Sequence, residues 1–161
     1  MELPQILQKI KQCLDKLYSE NPSLFELIKN KTQCERCLSF RFAHYVQEAF
    51  LLPYFVDCDY NSHMENGQRF SGKPIQNMDG TITNRLIDII VHKRNNDENA
   101  DFICFEIKRW DNYFGRNKDR NNLRELTTTY RYKFGFHVIL GKTRNKTKII
   151  IFQNGEEIQT N

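Results

Sequence analysis

The apolar residues Leu3, Ile6, Ile10, Leu14 and Leu17 recur at helical spacing, which predicts a helix over residues 4–19. Asn21-Pro22-Ser23 interrupts it, and Pro22 suits the first turn of a short second helix reaching about Asn30. A third helix is expected from about Thr32 to Leu52. Its apolar residues, from Cys34 and Leu38 to Val46 and Phe50, fall nearly all round, the pattern of a helix buried between layers. Thr32 with Glu35 fits a capping box, while the stripe Glu35, Leu38, Phe42 and Tyr45 would instead turn Glu35 inward.

Strand signals follow at 54–60, 86–94, 101–108, 136–141 and 147–153. Between the first two lies a polar, glycine-containing stretch, Asn61 to Asn84, without periodicity; so long a loop suggests a flap near a site. Between the third and fourth, Leu123, Leu126, Tyr130 and Phe134 predict a helix from about Asp119 to Phe134, with Asp119 as N-cap and Gly135 as stop. The sum is one α/β domain over residues 1–161, a mixed sheet of about five strands flanked by helices, with residues 1–31 as a helical extension packed on the core.

The two strands around Asn95–Ala100 carry an anomaly. Asp88, Glu106 and Lys108 interrupt apolar runs, and an ionised group in a buried strand is costly unless a partner or metal offsets it. Symmetric closure of the turn pairs Asp88 with Glu106, Ile90 with Cys104 and His92 with Phe102. The three charges then share one face and one end of the hairpin. Two carboxylates across a ladder repel unless a cation lies between them, and hard oxygen ligands favour Mg²⁺ or Mn²⁺. A strand-end salt bridge from Lys108 to either carboxylate is the plainer alternative.

Charge and composition narrow the function class. No apolar run approaches the roughly 20 residues of a membrane span, and the N-terminus shows no export signal, so a cytoplasmic protein with reduced cysteines is expected. Residues 1–30 balance four lysines against four acids, whereas Arg131–Lys148 holds six basic residues and no acid, which suits a polyanionic partner. Cys34 and Cys37 have no second pair at zinc spacing and read as core cysteines. Trp110, Tyr113 and Phe114 are placed either to stack on a base or to pack beneath a loop.

The pattern Asp88, then Glu106-Ile107-Lys108, preceded by a helix carrying Glu35, resembles the PD-(D/E)xK phosphodiesterase superfamily, with its restriction-endonuclease-like fold. The phrases Glu35–Tyr45, Asp57–Asn61 and Asp88–Arg94 are similar to those of a bacterial subgroup of uncharacterised and defence-associated proteins. The proline that precedes the aspartate in that superfamily is Ile87 here. The resemblance implies that Asp88, Glu106 and the Ile107 carbonyl hold Mg²⁺ or Mn²⁺, that Lys108 positions the attacking water, and that Glu35 orients metal-bound water. It implies an endonuclease acting on nucleic acid, DNA more than RNA, in restriction or anti-phage defence. Cutting both strands needs two sites, which suits a homodimer, and a chain this small suits a partner protein that selects the target. Arg109, Arg116, Lys118, Arg120, Lys142 and Arg144 are the expected nucleic-acid contacts. The alternative on the same fold is a nucleic-acid-binding or interaction module whose catalysis is lost or regulated.

Overall fold

The computed structural model describes residues 1–26, 31–60, 62–65, 68–76, 80–94 and 101–159. Helices α1 (Leu3–Glu20) and α2 (Ser23–Glu26) lead into α3 (Lys31–Ala49). Strand β1 (Phe55–Tyr60) is followed by two small two-stranded sheets, β2 (Ser62–Glu65) with β3 (Gln68–Ser71), and β4 (Pro74–Gln76) with β5 (Ile82–Asn84). Then come β6 (Ile87–His92), β7 (Asp101–Arg109), α4 (Arg116–Thr128), β8 (Phe134–Leu140), β9 (Lys148–Gln153) and β10 (Glu156–Ile158). The main sheet has six strands in the order β1-β6-β7-β8-β9-β10, with β7 and β8 parallel and joined through α4 and the other described pairs antiparallel.

β7 is buried on both faces, as the centre of a three-layer α/β domain requires. On one face Ile89, Val91, Ile103, Phe105, Ile107, Phe136 and Val138 pack with α1 and α3 in the larger core. Phe105 stacks on Phe136 at 5.3 Å and meets Phe42 of α3 edge-on at 5.6 Å. On the other face Ile90, Cys104 and Phe152 lie beneath Leu123 and Leu126 of α4. Gly135 lies in β8, and a Cβ there would stand 3.1 Å from Leu123 and 3.3 Å from Thr127, so its bare backbone lets α4 settle on the sheet.

Several sequence expectations give way here. The sixth strand, β10, is too short and acidic for a periodic signal. Its turn was readable: Asn154-Gly155 has φ of 51° and 81°, the left-handed pair of a two-residue hairpin. The segment expected to be a loop holds β2–β5, and Lys73 anchors it. That lysine is fully buried, donates to the Tyr132 hydroxyl at 2.9 Å and lies 3.5 Å from Asp101, at the opposite end of β7 from Glu106.

α4 spans 116–128 rather than 119–134, with Gly115 as N-cap, so Asp119 lies inside its first turn and Gly135 inside a strand. α3 is not buried all round, because Arg36, Cys37, Phe40, Arg41, His44 and Glu48 are exposed. Cys37 is therefore not a core cysteine; the side chain of Cys34 lies outside the described residues.

Phe105→Ala removes a ring packed on Phe136 of the neighbouring strand and on Phe42 of α3. The expected cost is roughly 3–5 kcal/mol, read as a fall in Tm of about 10 °C in thermal unfolding.

Candidate functional site

The β6–β7 ladder runs from His92↔Asp101 to Ile89↔Phe105 and the described pairing ends there. Ile90↔Cys104 pairs as expected, whereas a bulge between Val91 and His92 sets His92 against Asp101 instead of Phe102. Beyond Ile89 the next inward amide of β7, Ile107 N–H, donates to Asp88 Oδ2 at 2.7 Å. A side chain thus takes the place of a backbone acceptor, and the two strands part around it. Released from the ladder, Ile87 breaks the alternation and packs with Ile90 in the smaller core. A strand residue's amide and carbonyl share an edge, so the Ile107 carbonyl opens toward Asp88.

Glu106 and Lys108 project from the next positions of β7. Glu106 is 4 % exposed and accepts from Asn122 Nδ2 at 3.2 Å. Burial, then repulsion from Asp88 and Asp119, pushes its carboxyl well above the usual range. Burial likewise pushes Asp88 up to about 6, against the Ile107 amide and the Lys108 charge, with Glu35 and Asp59 adding repulsion.

Lys108 pairs with Glu35 Oε1 at 3.2 Å and Asp119 Oδ2 at 3.5 Å. The alternative of a salt bridge to Asp88 or Glu106 therefore gives way to pairs with the two helices. Burial opposes the ammonium, but Asp119 and Glu35 outweigh it and hold Lys108 above its ordinary value. At neutral pH it is a hydrogen-bond donor and not a base.

The Thr32 side chain of the expected capping box lies outside the described residues, whereas the reach of Glu35 is plain. It reaches from α3 to Lys108, accepts from the Arg109 amide at 3.0 Å, and takes Asn112 Nδ2 on both oxygens at 3.3 and 3.1 Å. The inward reading of its stripe was the right one, and Asp88, Glu106, Lys108 and Glu35 converge.

Sequence reasoning missed three members. Asp119, expected as an N-cap, is buried against Lys108; burial pushes its carboxyl up to about 6, with Lys108 pulling the other way. Its Oδ2 makes no hydrogen bond and lies 3.8 Å from His137 Nε2. His137 sits opposite Glu106 in the parallel register, fully buried with neither ring nitrogen hydrogen-bonded. Burial, helped by the Arg120, Lys108 and Arg116 charges, drives it down to about 4, so it is neutral at pH 7. Asn122 supports Glu106 from α4. His137 and Asn122 left no signal short of the β7–β8 register and the seating of α4.

The expected nucleic-acid contacts fare differently. Arg109 is fully buried, bonded to Asp111 at 3.1 Å, and is unavailable to a phosphate. Arg116 donates to the carbonyls of Asn112, Arg109 and Trp110, and so braces the loop after β7. Arg120 pairs with Glu157, and Arg144 pairs with Asp15 at 2.7 Å. Lys118 and Lys142 are exposed. Asp57 and His92, at 2.7 Å, join β1 to β6 with Arg94 and stand apart from the carboxylates.

Among the described residues no three His, Cys, Asp or Glu side chains form a ready-made metal cage. The donor chemistry nonetheless fits a hard divalent cation. Burial raises both Asp88 and Glu106, Asp88 adds to the rise at Glu106, and the Ile107 carbonyl lies on the edge that faces Asp88. Mg²⁺ ordinarily takes one or two carboxylates and completes its shell with water and phosphate. No protein-family model, curated protein or solved structure matches the chain. No helix among the described residues is long and apolar enough to cross a membrane.

A carboxyl raised to about 6 in the fold, against roughly 4 unfolded, binds more protons folded than unfolded between those values. Its stabilisation is full below pH 4 and is lost as pH rises through about 6. The groups facing Asp88 are Glu35, Asp59, Glu106, Asp119 and Lys108. Asp88→Asn keeps an acceptor for Ile107 and removes the charge. It should raise Tm by several degrees at pH 8 in metal-free buffer, with the gain shrinking toward pH 5; a lower Tm at pH 8 refutes the repulsion.

Proposed function

We propose that the chain is a metal-dependent phosphodiesterase of the PD-(D/E)xK type, acting on nucleic acid. The observation that carries this reading is the meeting of two carboxylates raised by burial and a protonated lysine where β6 and β7 part. Asp88, Glu106 and the Ile107 carbonyl would hold Mg²⁺ or Mn²⁺. The ion supplies Lewis-acid polarisation of the phosphoryl group and a more acidic water.

The chain's own residues do the rest. Lys108, ammonium at neutral pH, donates to the attacking water or to a phosphoryl oxygen as charge grows on it. Glu35 aims that ammonium from α3, and Asp119 holds it from α4. Both helices are packed on the sheet, so the donor is placed before substrate arrives. Glu106 is kept in place by Asn122. DNA as the substrate and a role in defence follow from the resemblance; a homodimer follows from the two sites that cutting both strands needs, and a partner protein from the small size of the chain.

Purified protein with Mg²⁺ or Mn²⁺ should cut nucleic acid, and Asp88→Ala, Glu106→Ala or Lys108→Ala should each lower the rate at least about 100-fold. Metal-dependent cutting that survives both Asp88→Ala and Lys108→Ala overturns the site. A retarded band without cutting, weakening with salt, is the result expected of a binding module instead. Independently of activity, Mn²⁺ should raise the wild-type Tm at pH 8 and leave the Asp88→Ala protein unmoved.

A further inference from the structure

Beside the carboxylates lies a cavity of about 200 Å³ whose wall includes Glu35 and Asp88 together with Arg36, Phe40, Asp59 and Leu86. Phe40, which the helix pattern assigned to the core, is 51 % exposed, and Leu86 across the cavity is 54 % exposed. Two large apolar side chains beside buried carboxylates mark a place for a ligand. The volume is below the several hundred cubic ångström of sites for drug-sized ligands and is on the scale of one heteroaromatic ring system.

The chemistry of the wall selects among the parts of a nucleic acid. Glu35, Asp59 and Asp88 repel a phosphate that enters the cavity itself. With Glu35 committed to Lys108, Arg109 and Asn112, Asp59 and the second oxygen of Asp88 are the acceptors for ring and exocyclic N–H groups. Phe40 offers a face on which any base stacks. A neutral, flat, donor-bearing ring therefore suits the cavity, with its phosphate left outside at the carboxylates and Arg36 at hand for the next one.

Two further aromatics stand at the other side of the site. Asn112 ties the loop after β7 to Glu35, and the next two residues, Tyr113 and Phe114, are 74 % and 90 % exposed. Tyr113 carries the Arg116 guanidinium over its ring at 4.3 Å. Meanwhile Arg109, Arg116, Arg120 and Arg144 are committed to internal partners, which thins the basic surface a duplex backbone would follow.

We infer that the cavity between Phe40 and Leu86 is a nucleobase site, so that the substrate is an unpaired strand with one base seated there beside the scissile phosphate. The inference rests, for its substrate, on the phosphodiesterase reading of Asp88 and Glu106. A paired base must first leave its stack to enter, at a cost a single strand does not carry.

The test uses the full chain with Ca²⁺ in place of Mg²⁺ and a strand of about 12 nucleotides carrying one 2-aminopurine, alone or annealed to its complement. Gels check that the strand stays intact. The single strand should bind at least ~10-fold tighter than the duplex, with quenching of 2-aminopurine as it stacks. Phe40→Ala should lose about 10-fold in affinity and the quenching, and Phe40→Trp should keep both. Because the ring is half exposed, Phe40→Ala should melt with the wild type, which separates a lost site from a lost fold.

Equal binding of duplex and single strand, or full binding and quenching by Phe40→Ala, overturns the inference. Cutting in Mg²⁺ scored in parallel separates the two claims. Asp88-dependent cutting without strand preference removes the base site alone. Strand preference with Phe40-dependent quenching but no Asp88-dependent cutting removes the hydrolysis and leaves the base site.

Discussion

The hydrogen bond from the Ile107 amide to the Asp88 carboxylate governs the geometry of this site. Inside a sheet an amide of β7 would find a carbonyl of β6. Here the acceptor is a side chain, and the backbone of β6 is free to diverge. That divergence opens the edge of β7 where Glu106, Ile107 and Lys108 emerge, so a polar opening forms within an otherwise apolar sheet. The buried amide keeps a partner, and leaving it without one would cost about 1–3 kcal/mol.

Around that opening, four carboxyl groups surround one lysine. Asp88 and Glu106 come from the sheet, Glu35 from α3 and Asp119 from α4, so the sheet and the helix layers on both its faces meet at a single charge centre. The raised carboxyls express a conflict the fold tolerates: the packing that places them also strips them of water. Natural sites often trade stability for such an arrangement, and a bound cation removes the conflict. The apolar contacts of Phe105 with Phe42 and Phe136 hold α3 and β8 against β7 while that repulsion persists.

The surface around the opening is less basic than its composition suggests, because several arginines brace loops or pair with acids. What it shows instead is aromatic and aliphatic. Phe40, Leu86, Tyr113 and Phe114 are exposed within a few residues of groups in the site. A net positive charge of +4 therefore describes the chain and not its working face.

By itself the sequence determined the elements whose signal is local. Helical spacing placed α1 and most of α3, β-rich runs placed β1, β6, β7 and β9, and symmetric closure of one turn aligned Ile90 with Cys104. Asp88, Glu106 and Lys108 were legible because a charge in an apolar strand is an exception any reader of the pattern meets. Asn154-Gly155 carries a two-residue turn signal that the strand pattern passed over, and with it went β10. Tertiary structure decided the rest, because those choices depend on which segments meet. Whether Glu35 caps a helix or grips Lys108 depends on where β7 ends against α3. The position of Asp119 depends on a helix start three residues earlier than its periodicity suggested, and that of His137 on a parallel register with Glu106, 31 residues away. The exposure of Phe40 reflects α3 being covered on one side only, and neither periodicity nor composition records which side a neighbouring layer leaves open.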